Sequence, residues 1–233
     1  AGLIMDMLEL IKQRRAVRAF TDKALNEKDI EIILQAGQLA PSPLNSQPWH
    51  FTLIRNKETL STLAEKAHHA SFLCQAKLLI VVTVDTGIEI DIWLKHHNQH
   101  LYSGAAAMQN MWLAAIALDI GCCWVTLDEA FTKAHISIPK EHTIIGALAL
   151  GYPKEPLKGY ADEDRKALPS LISLEQFNLY GNCETESCYT CLKQVPKSAA
   201  NSFEGDDYVR YFCGNDCYAE WKKQTHKWLD EDN

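Results

Sequence analysis

Residues 99–119, QHLYSGAAAMQNMWLAAIALD, are apolar on nearly every side. A helix with that pattern has no polar face to give to water, so it is buried all round, in a core or in a subunit interface. Gly104 and the alanines that follow it leave room for another backbone to come close. The rest of the chain has to supply the layers that enclose this helix.

The flanking segments can do so. Residues 7–14 read as a short amphipathic helix. Asn26 is a candidate N-cap with Asp29 three positions on, and Ile30, Ile33 and Leu34 carry the spacing of a second helix. That helix stops before Pro41, because APSPLNSQPW holds three prolines. HFTLIRN alternates like a strand, and residues 57–73 read as a helix. AKLLIVVTVD is a continuous apolar run with β-branched residues, which suits a strand covered on both faces. CCWVTL after Gly121 and TIIGALALGY before Pro153 complete the strands. The order is mixed, with helices covering a sheet.

After about Tyr180 the composition changes. Residues 181–233 hold ten acidic residues and six Lys or Arg, with few aliphatic ones. Such a segment cannot bury much core alone, so it needs a staple or a docking surface. The expected division is therefore 1–180 and 181–233. Cys74, Cys122 and Cys123 lie in apolar surroundings and read as small core residues. The other five of the eight cysteines (Cys183, Cys188, Cys191, Cys213 and Cys217) fall in the last 51 residues. The N-terminal AGLIMDMLELIKQRR places its basic residues after the apolar stretch, the reverse of a secretory leader, and no apolar run is long enough to cross a bilayer. A cytoplasmic location with reduced thiols is expected, and there clustered cysteines bind metal more often than they form disulfides. The net charge of −7 argues against nucleic acid or a membrane surface as a partner.

Two further segments carry possible chemistry. RRAVRAF, residues 14–20, puts three arginines within five positions, and Arg14 and Arg18 share a face if the first helix continues through them. Guanidinium groups can hold a phosphate and the electron-rich pyrimidine edge of a flavin. Taken alone, the plain reading is a solvated helix end. APSPLNSQPWHF, residues 40–51, is a stiff loop bearing Ser42, Asn45, Ser46 and Gln47, which could offer donors and acceptors to a planar heterocycle. Alone, it reads as a helix-to-strand connection. No Ser-His-Asp or Cys-His nucleophile pattern is evident. His68, His69, His96, His97 and His100 lie on polar helical stretches and read as solvated surface rather than metal ligands.

Together, RR-x-x-R-x-F and AP-S-x-x-N-x-QPW resemble the nitroreductase family of FMN enzymes. SGAAAMQNMWLAAIALDIGCCWV resembles that family's central helix and following strand, and ALALGYP resembles its late strand, so the likeness runs over roughly residues 7–178. It implies an α+β, three-layer α/β/α sandwich forming an intertwined homodimer with two FMN sites at the interface. By position, Arg14, Arg15, Ala16 and Arg18 would meet the phosphate, ribityl chain or pyrimidine edge, with Ala16 standing where the family often has Ser. Pro41, Ser42 and Asn45 would come from the other subunit, and Arg165 and Lys166 are the nearest match to late basic residues on the phosphate. The implied reaction is ping-pong: hydride from NAD(P)H, then reduction of an electron-poor nitro, quinone or enone compound. The flavin carries the chemistry and no side chain is expected to be catalytic. Dehalogenase, oxidase and flavin-consuming branches of the same fold stay open, as does a zinc-knuckle binding or sensor protein on a flavin scaffold.

The last motif is Cys188-Tyr-Thr-Cys191, twenty-one residues, then Cys213-Gly-Asn-Asp-Cys217. Two spaced pairs suit four thiolates around a tetrahedral zinc, with the second pair at a helix start where the dipole favours thiolate. YFCGNDCYAEW resembles the second half of treble-clef zinc fingers of the FCS and MYND kind. A rubredoxin-like iron and a disulfide pair remain open, and Cys183 could substitute as a ligand.

Overall fold

The computed structural model describes residues 7–156, 165–178, 181, 183–205 and 208–231. The chain divides into two compact units, Ala1–Tyr160 and Ala161–Asn233. The change of composition near Tyr180 falls inside the second of them.

The first unit is built on a four-stranded sheet of β1 (Trp49–Ile54), β2 (Leu78–Asp85), β3 (Gly121–Val125) and β4 (His142–Gly151). Its order is β1-β2-β4-β3, with every neighbouring pair antiparallel. From Leu78 to Val84 the central strand β2 is buried at every position, as its unbroken apolar sequence requires. Successive side chains alternate between faces, so two cores form. Leu78, Ile80 and Val82 join Cys122, Leu148 and Leu150 on one face, under α2 (Glu27–Gln38) and α5 (Gln99–Ala117). Leu79 and Val81 join Cys123, Val125, Ala147 and Ala149 on the other, against Leu60 and Leu63 of α3 (Lys57–Lys66) and Phe72 and Leu73 after it. The three-layer α/β/α arrangement follows from that alternation. α1 (Met7–Gln13), α4 (Ile92–His96) and α6 (Glu129–His135) complete the unit.

Local signals set the helix ends. Asn26 accepts from Lys28 N at 3.0 Å at the start of α2, Asn56 from Thr59 N at 2.9 Å at α3, and Asp128 from Phe131 N at 2.8 Å at α6. The helix expected over 57–73 is shorter: α3 stops at Lys66, His69 takes a left-handed φ of 54°, and a separate 3-10 turn spans Ser71–Gln75. That break lets Phe72 and Leu73 turn into the core, while Cys74 is left exposed rather than buried. Along α5, Gly104 lies on the sheet so closely that a Cβ there would stand 2.6 Å from Ile145 Cγ1 and 2.8 Å from Val84 Cγ1. Pairing of β2 with β4 shifts between Val82 and Thr83, where Gly146 and then Ile144 are the partners and Ile145 bulges out.

The second unit contains two antiparallel hairpins, β5 (Thr185–Ser187) with β6 (Gln194–Pro196) and β7 (Asn201–Gly205) with β8 (Tyr208–Phe212), followed by α7 (Asn215–Glu231). Its apolar centre is an aromatic group: Phe212 and Trp221 are buried with ring centroids 5.3 Å apart, and Phe203 and Tyr218 pack around them. Among the described residues no helix is long and apolar enough to cross a membrane.

Candidate active site and metal centre

The arginine segment is extended, not helical. α1 ends at Gln13, Val17 N donates to Cys122 O at 2.9 Å, and Thr21 N donates to Tyr152 O at 2.8 Å. Ala16 bridges Cys122 in parallel and Phe20 bridges Pro153 in antiparallel fashion, so the segment touches β3 at Ala16 and Val17 and the residues that follow β4 at Phe20 and Thr21. The shared helical face expected for Arg14 and Arg18 therefore does not form. Two glycines make the strand pairing possible: a Cβ on Gly121 would lie 2.7 Å from Val17 Cγ1, and one on Gly151 would lie 2.9 Å from Phe20. Burying Val17 and Phe20 against them outweighs continuation of a seven-residue helix.

This extended course sends the arginines in different directions. Arg14 is half-buried with its guanidinium 4.6 Å from the centre of the Trp112 ring. Arg18 is exposed, 6.0 Å from the Phe72 ring. Arg15 and Arg18, with Ala16, Val17 and Ala19, form one wall of an open cleft of about 440 Å³ whose other wall is Pro153, Glu155 and Pro156. Two guanidinium groups beside apolar proline and alanine surface suit a ligand that is anionic at one end and flat and apolar elsewhere, so the residues present fit a flavin nucleotide. Beneath the segment, burial pushes the Cys122 and Cys123 thiols up, and Arg14 and Arg18 respectively offset that only in part. Both are protonated packing groups, not nucleophiles.

Pro41, Ser42 and Asn45 lie on the loop between α2 and β1 and are not part of the cleft lining. The loop is tightly specified. Ser42 Oγ accepts from Gln47 N at 3.0 Å, and Leu44, Asn45 and Gln47 hold positive φ angles of 52°, 55° and 46°. Three non-glycine residues in the left-handed region store strain of the kind found at binding sites. Ser46 Oγ is buried without a partner among the described residues, a second sign that the loop awaits a polar contact. Arg165 and Lys166 are exposed residues of the second unit, just ahead of the 3-10 turn Leu168–Leu171.

Of the five histidines expected on the surface, His100 is not there. It is 5% exposed in the first turn of α5, its Nδ1 has no partner among the described residues, and burial lowers its pKa. The expectation failed because nothing in the polar residues beside His100 in sequence marks a position that folding buries.

Cys188, Cys191, Cys213 and Cys217 do come together: their four sulfurs lie within 4.8 Å of one another. Cys191 and Cys213 are 3.6 Å apart and Cys213 and Cys217 are 3.4 Å apart, and none is in a disulfide. Tetrahedral zinc with bonds near 2.3 Å would set sulfurs about 3.8 Å apart, so the thiols need only small adjustments. Cys188 and Cys191 flank a turn at the end of β5 in which Leu192 N donates to Cys188 O at 2.9 Å with Leu192 at φ 62°. Cys213 directly follows β8, and Cys217 lies in the first turn of α7. Burial opposes ionisation of Cys188, but the backbone N–H groups of Cys191, Cys213 and Thr190 bring its pKa down to about 6. Hydrogen bonding with Cys213 and Cys191, with burial adding to it, pushes Cys217 up to about 12.

Trp112 under Arg14 and the Pro153–Pro156 wall were not read from sequence. Trp112 was hidden in an apolar helix, and only the turn after ALALGYP hinted at the wall.

Comparison with known proteins agrees with this geometry. The model of the Nitroreductase family matches residues 11–72 and 64–152, and one described as a domain of unknown function (DUF3330) matches residues 178–232. A protein of Archaeoglobus fulgidus provisionally named NADH dehydrogenase/NAD(P)H nitroreductase is 34% identical over 168 residues, covering 69% of this chain and 92% of its own. The 5,6-dimethylbenzimidazole synthase of Rhodospirillum rubrum is 27% identical over 171 residues, covering 63% of this chain and 81% of its own. A provisionally named nitroreductase of Desulfovibrio desulfuricans, solved in complex with FMN, superposes with a TM-score of 0.62 at 30% identity, covering 73% of this chain and 97% of that one. The chain belongs to the nitroreductase family of oxidoreductases.

Proposed function

We propose that this protein is an FMN-dependent reductase that takes hydride from NAD(P)H and passes electrons to an electron-poor small molecule of nitro, quinone or enone type, one substrate replacing the other. The observation that carries the reading is the cleft between Arg15–Arg18 and Pro153–Pro156 in a family whose solved members include an FMN complex. Bound FMN would supply the redox chemistry. The chain's own residues bind and orient it: Arg14, Arg15 and Arg18 neutralise negative charge, and the backbone at Ala16 lies along the ligand without a hydroxyl. Positive charge next to the pyrimidine edge favours the reduced, anionic ring.

The separation of Pro41, Ser42 and Asn45 from the cleft supports a homodimer in which that loop completes the partner's site. An interface of this kind should bury more than about 2,000 Å² in total. Residues 1–180 would form the FMN-binding part and 181–233 the metal-binding extension, with structural zinc on Cys188, Cys191, Cys213 and Cys217. Its four thiols leave no position for water, so the ion would hold structure and not catalyse.

Purified protein should be yellow, bleach on anaerobic addition of NADH or NADPH, and regain colour when a nitroarene, quinone or enone is added. A colourless protein that refuses added FMN overturns the reading. The likeness to a 5,6-dimethylbenzimidazole synthase favours a second one, in which the flavin itself is consumed. Stoichiometric loss of FMN during turnover would select it.

A further inference from the structure

At one end of the sheet a cavity of about 300 Å³ is lined by His50, Thr52, Thr83 and His142 from three strands, and by residues 136–139 of the loop after α6. None of them lines the arginine cleft. Strand register brings the polar ones together. His50 is paired with Thr83 and His142 with Asp85, and alternation puts all four on one face. Thr83 is 2% exposed, and its hydroxyl is 3.1 Å from His142 Nδ1. A ring held through Nδ1 presents Nε2, and histidines that bind metal are held in this way by a partner on the other nitrogen. His50 is exposed and stands edge-on to His142, with ring centres 6.2 Å apart. Two imidazoles bonded to one ion at about 2.0–2.1 Å with a tetrahedral angle have centres about 5 Å apart. Rotation of the exposed His50 side chain can close that difference. Among the described residues no Lys or Arg lines the cavity, and Asp85 adds a carboxylate to the same face, one oxygen accepting from Gly87 N at 2.7 Å. These surroundings favour a cation over an anion. Paired imidazole nitrogens favour a late transition ion over magnesium or calcium.

We propose that His50 and His142 hold a divalent late first-row transition ion, with Thr83 as the positioning residue for His142. Water completes the coordination, for which the cavity has room. With two protein ligands the site is open and exchangeable, unlike the thiol cluster. It rests on neither the flavin reading nor the thiol reading.

The test uses the full-length protein, purified with zinc and freed of excess metal. The probe is Cu²⁺, the ion such nitrogen ligands bind most tightly. Electron paramagnetic resonance should show one Cu²⁺ per chain coupled to two imidazole nitrogens. His50→Gln and His142→Gln should each weaken binding by more than about tenfold and leave one nitrogen. Thr83→Val, which keeps the shape and removes the hydroxyl, should weaken it about tenfold with both nitrogens retained. Circular dichroism checks that each variant is folded, and His50→Gln alters an exposed side chain, so the test survives if His142→Gln does not fold. A wild-type protein with no nitrogen-coupled Cu²⁺, or undiminished affinity in His50→Gln, overturns the proposal. Undiminished affinity in Thr83→Val overturns the role given to Thr83.

Discussion

In the first unit Leu78 to Val82 are buried in succession, with helices packed on both sides of the sheet. In the second, the buried hydrophobic side chains among the described residues are Cys188, Val195, Phe212 and Trp221. The two regions differ in what can hold them. Each large side chain buried in the first contributes about 1.5–3 kcal/mol, and there are enough of them to offset chain entropy. The second has too few, and one of its four is a thiol facing three others. On the proposed reading, an ion bound by those thiols would replace the core it lacks.

The sharpest way to break this contrast is to remove one thiol. Cys191→Ser should release the metal and forfeit much of a binding energy of about 10–16 kcal/mol, opening the second unit to protease while the first keeps its flavin colour. Metal analysis and mapping of the cut sites check it; a metal-free variant that still resists protease shows that the aromatic group suffices alone. The converse change is Leu148→Ala, which removes a fully buried side chain from the sheet. It should cost the first unit about 2–5 kcal/mol, read as a lower thermal midpoint, with metal content unaltered. Equal loss in both units would mean that they unfold as one. Arg18→Ala should weaken FMN by about 1.5–3 kcal/mol in a flavin titration, and leave the metal in place. A variant with undiminished affinity would remove Arg18 from the site.

The smallest effect concerns pH. Burial lowers the pKa of His100 from its ordinary 6.5, so the folded state resists a proton that the unfolded chain accepts. Stability from this group is present above pH 6.5 and is lost as pH falls from there through the lower folded value. His100→Leu should flatten that part of the acid limb in chemical denaturation of the first unit, while the thiol cluster responds to acid as before. An unchanged slope shows that His100 is solvated in solution.

Where a segment's fate depends on its own residues, sequence revealed it. The apolar run of β2, the Asn26 cap and the paired cysteine spacings each carry their cause locally. The arginine segment does not. Its spacing suits a helix, and contacts with Gly121 and Gly151, more than a hundred positions away, accompany its extended course instead. His100 and Cys74 failed for a related reason, since burial is a property of neighbours in space. The cleft was half legible: its arginine wall stood out in the sequence, and its proline wall followed a strand end.

The bulge in β4 gives the chain one place where its length is negotiable. Because Ile145 is the extra residue, Ile144 and Ala147 still face the α3 side while Ile145 meets Gly104 of α5. Deleting Ile145 would straighten the strand and leave every other β4 side chain on its present face. Deleting a residue on either side of it, within the paired stretch, would turn the strand beyond that point inside out. Sequence drift by single-residue gain or loss is thus tolerable at one position of this strand and ruinous a few residues away.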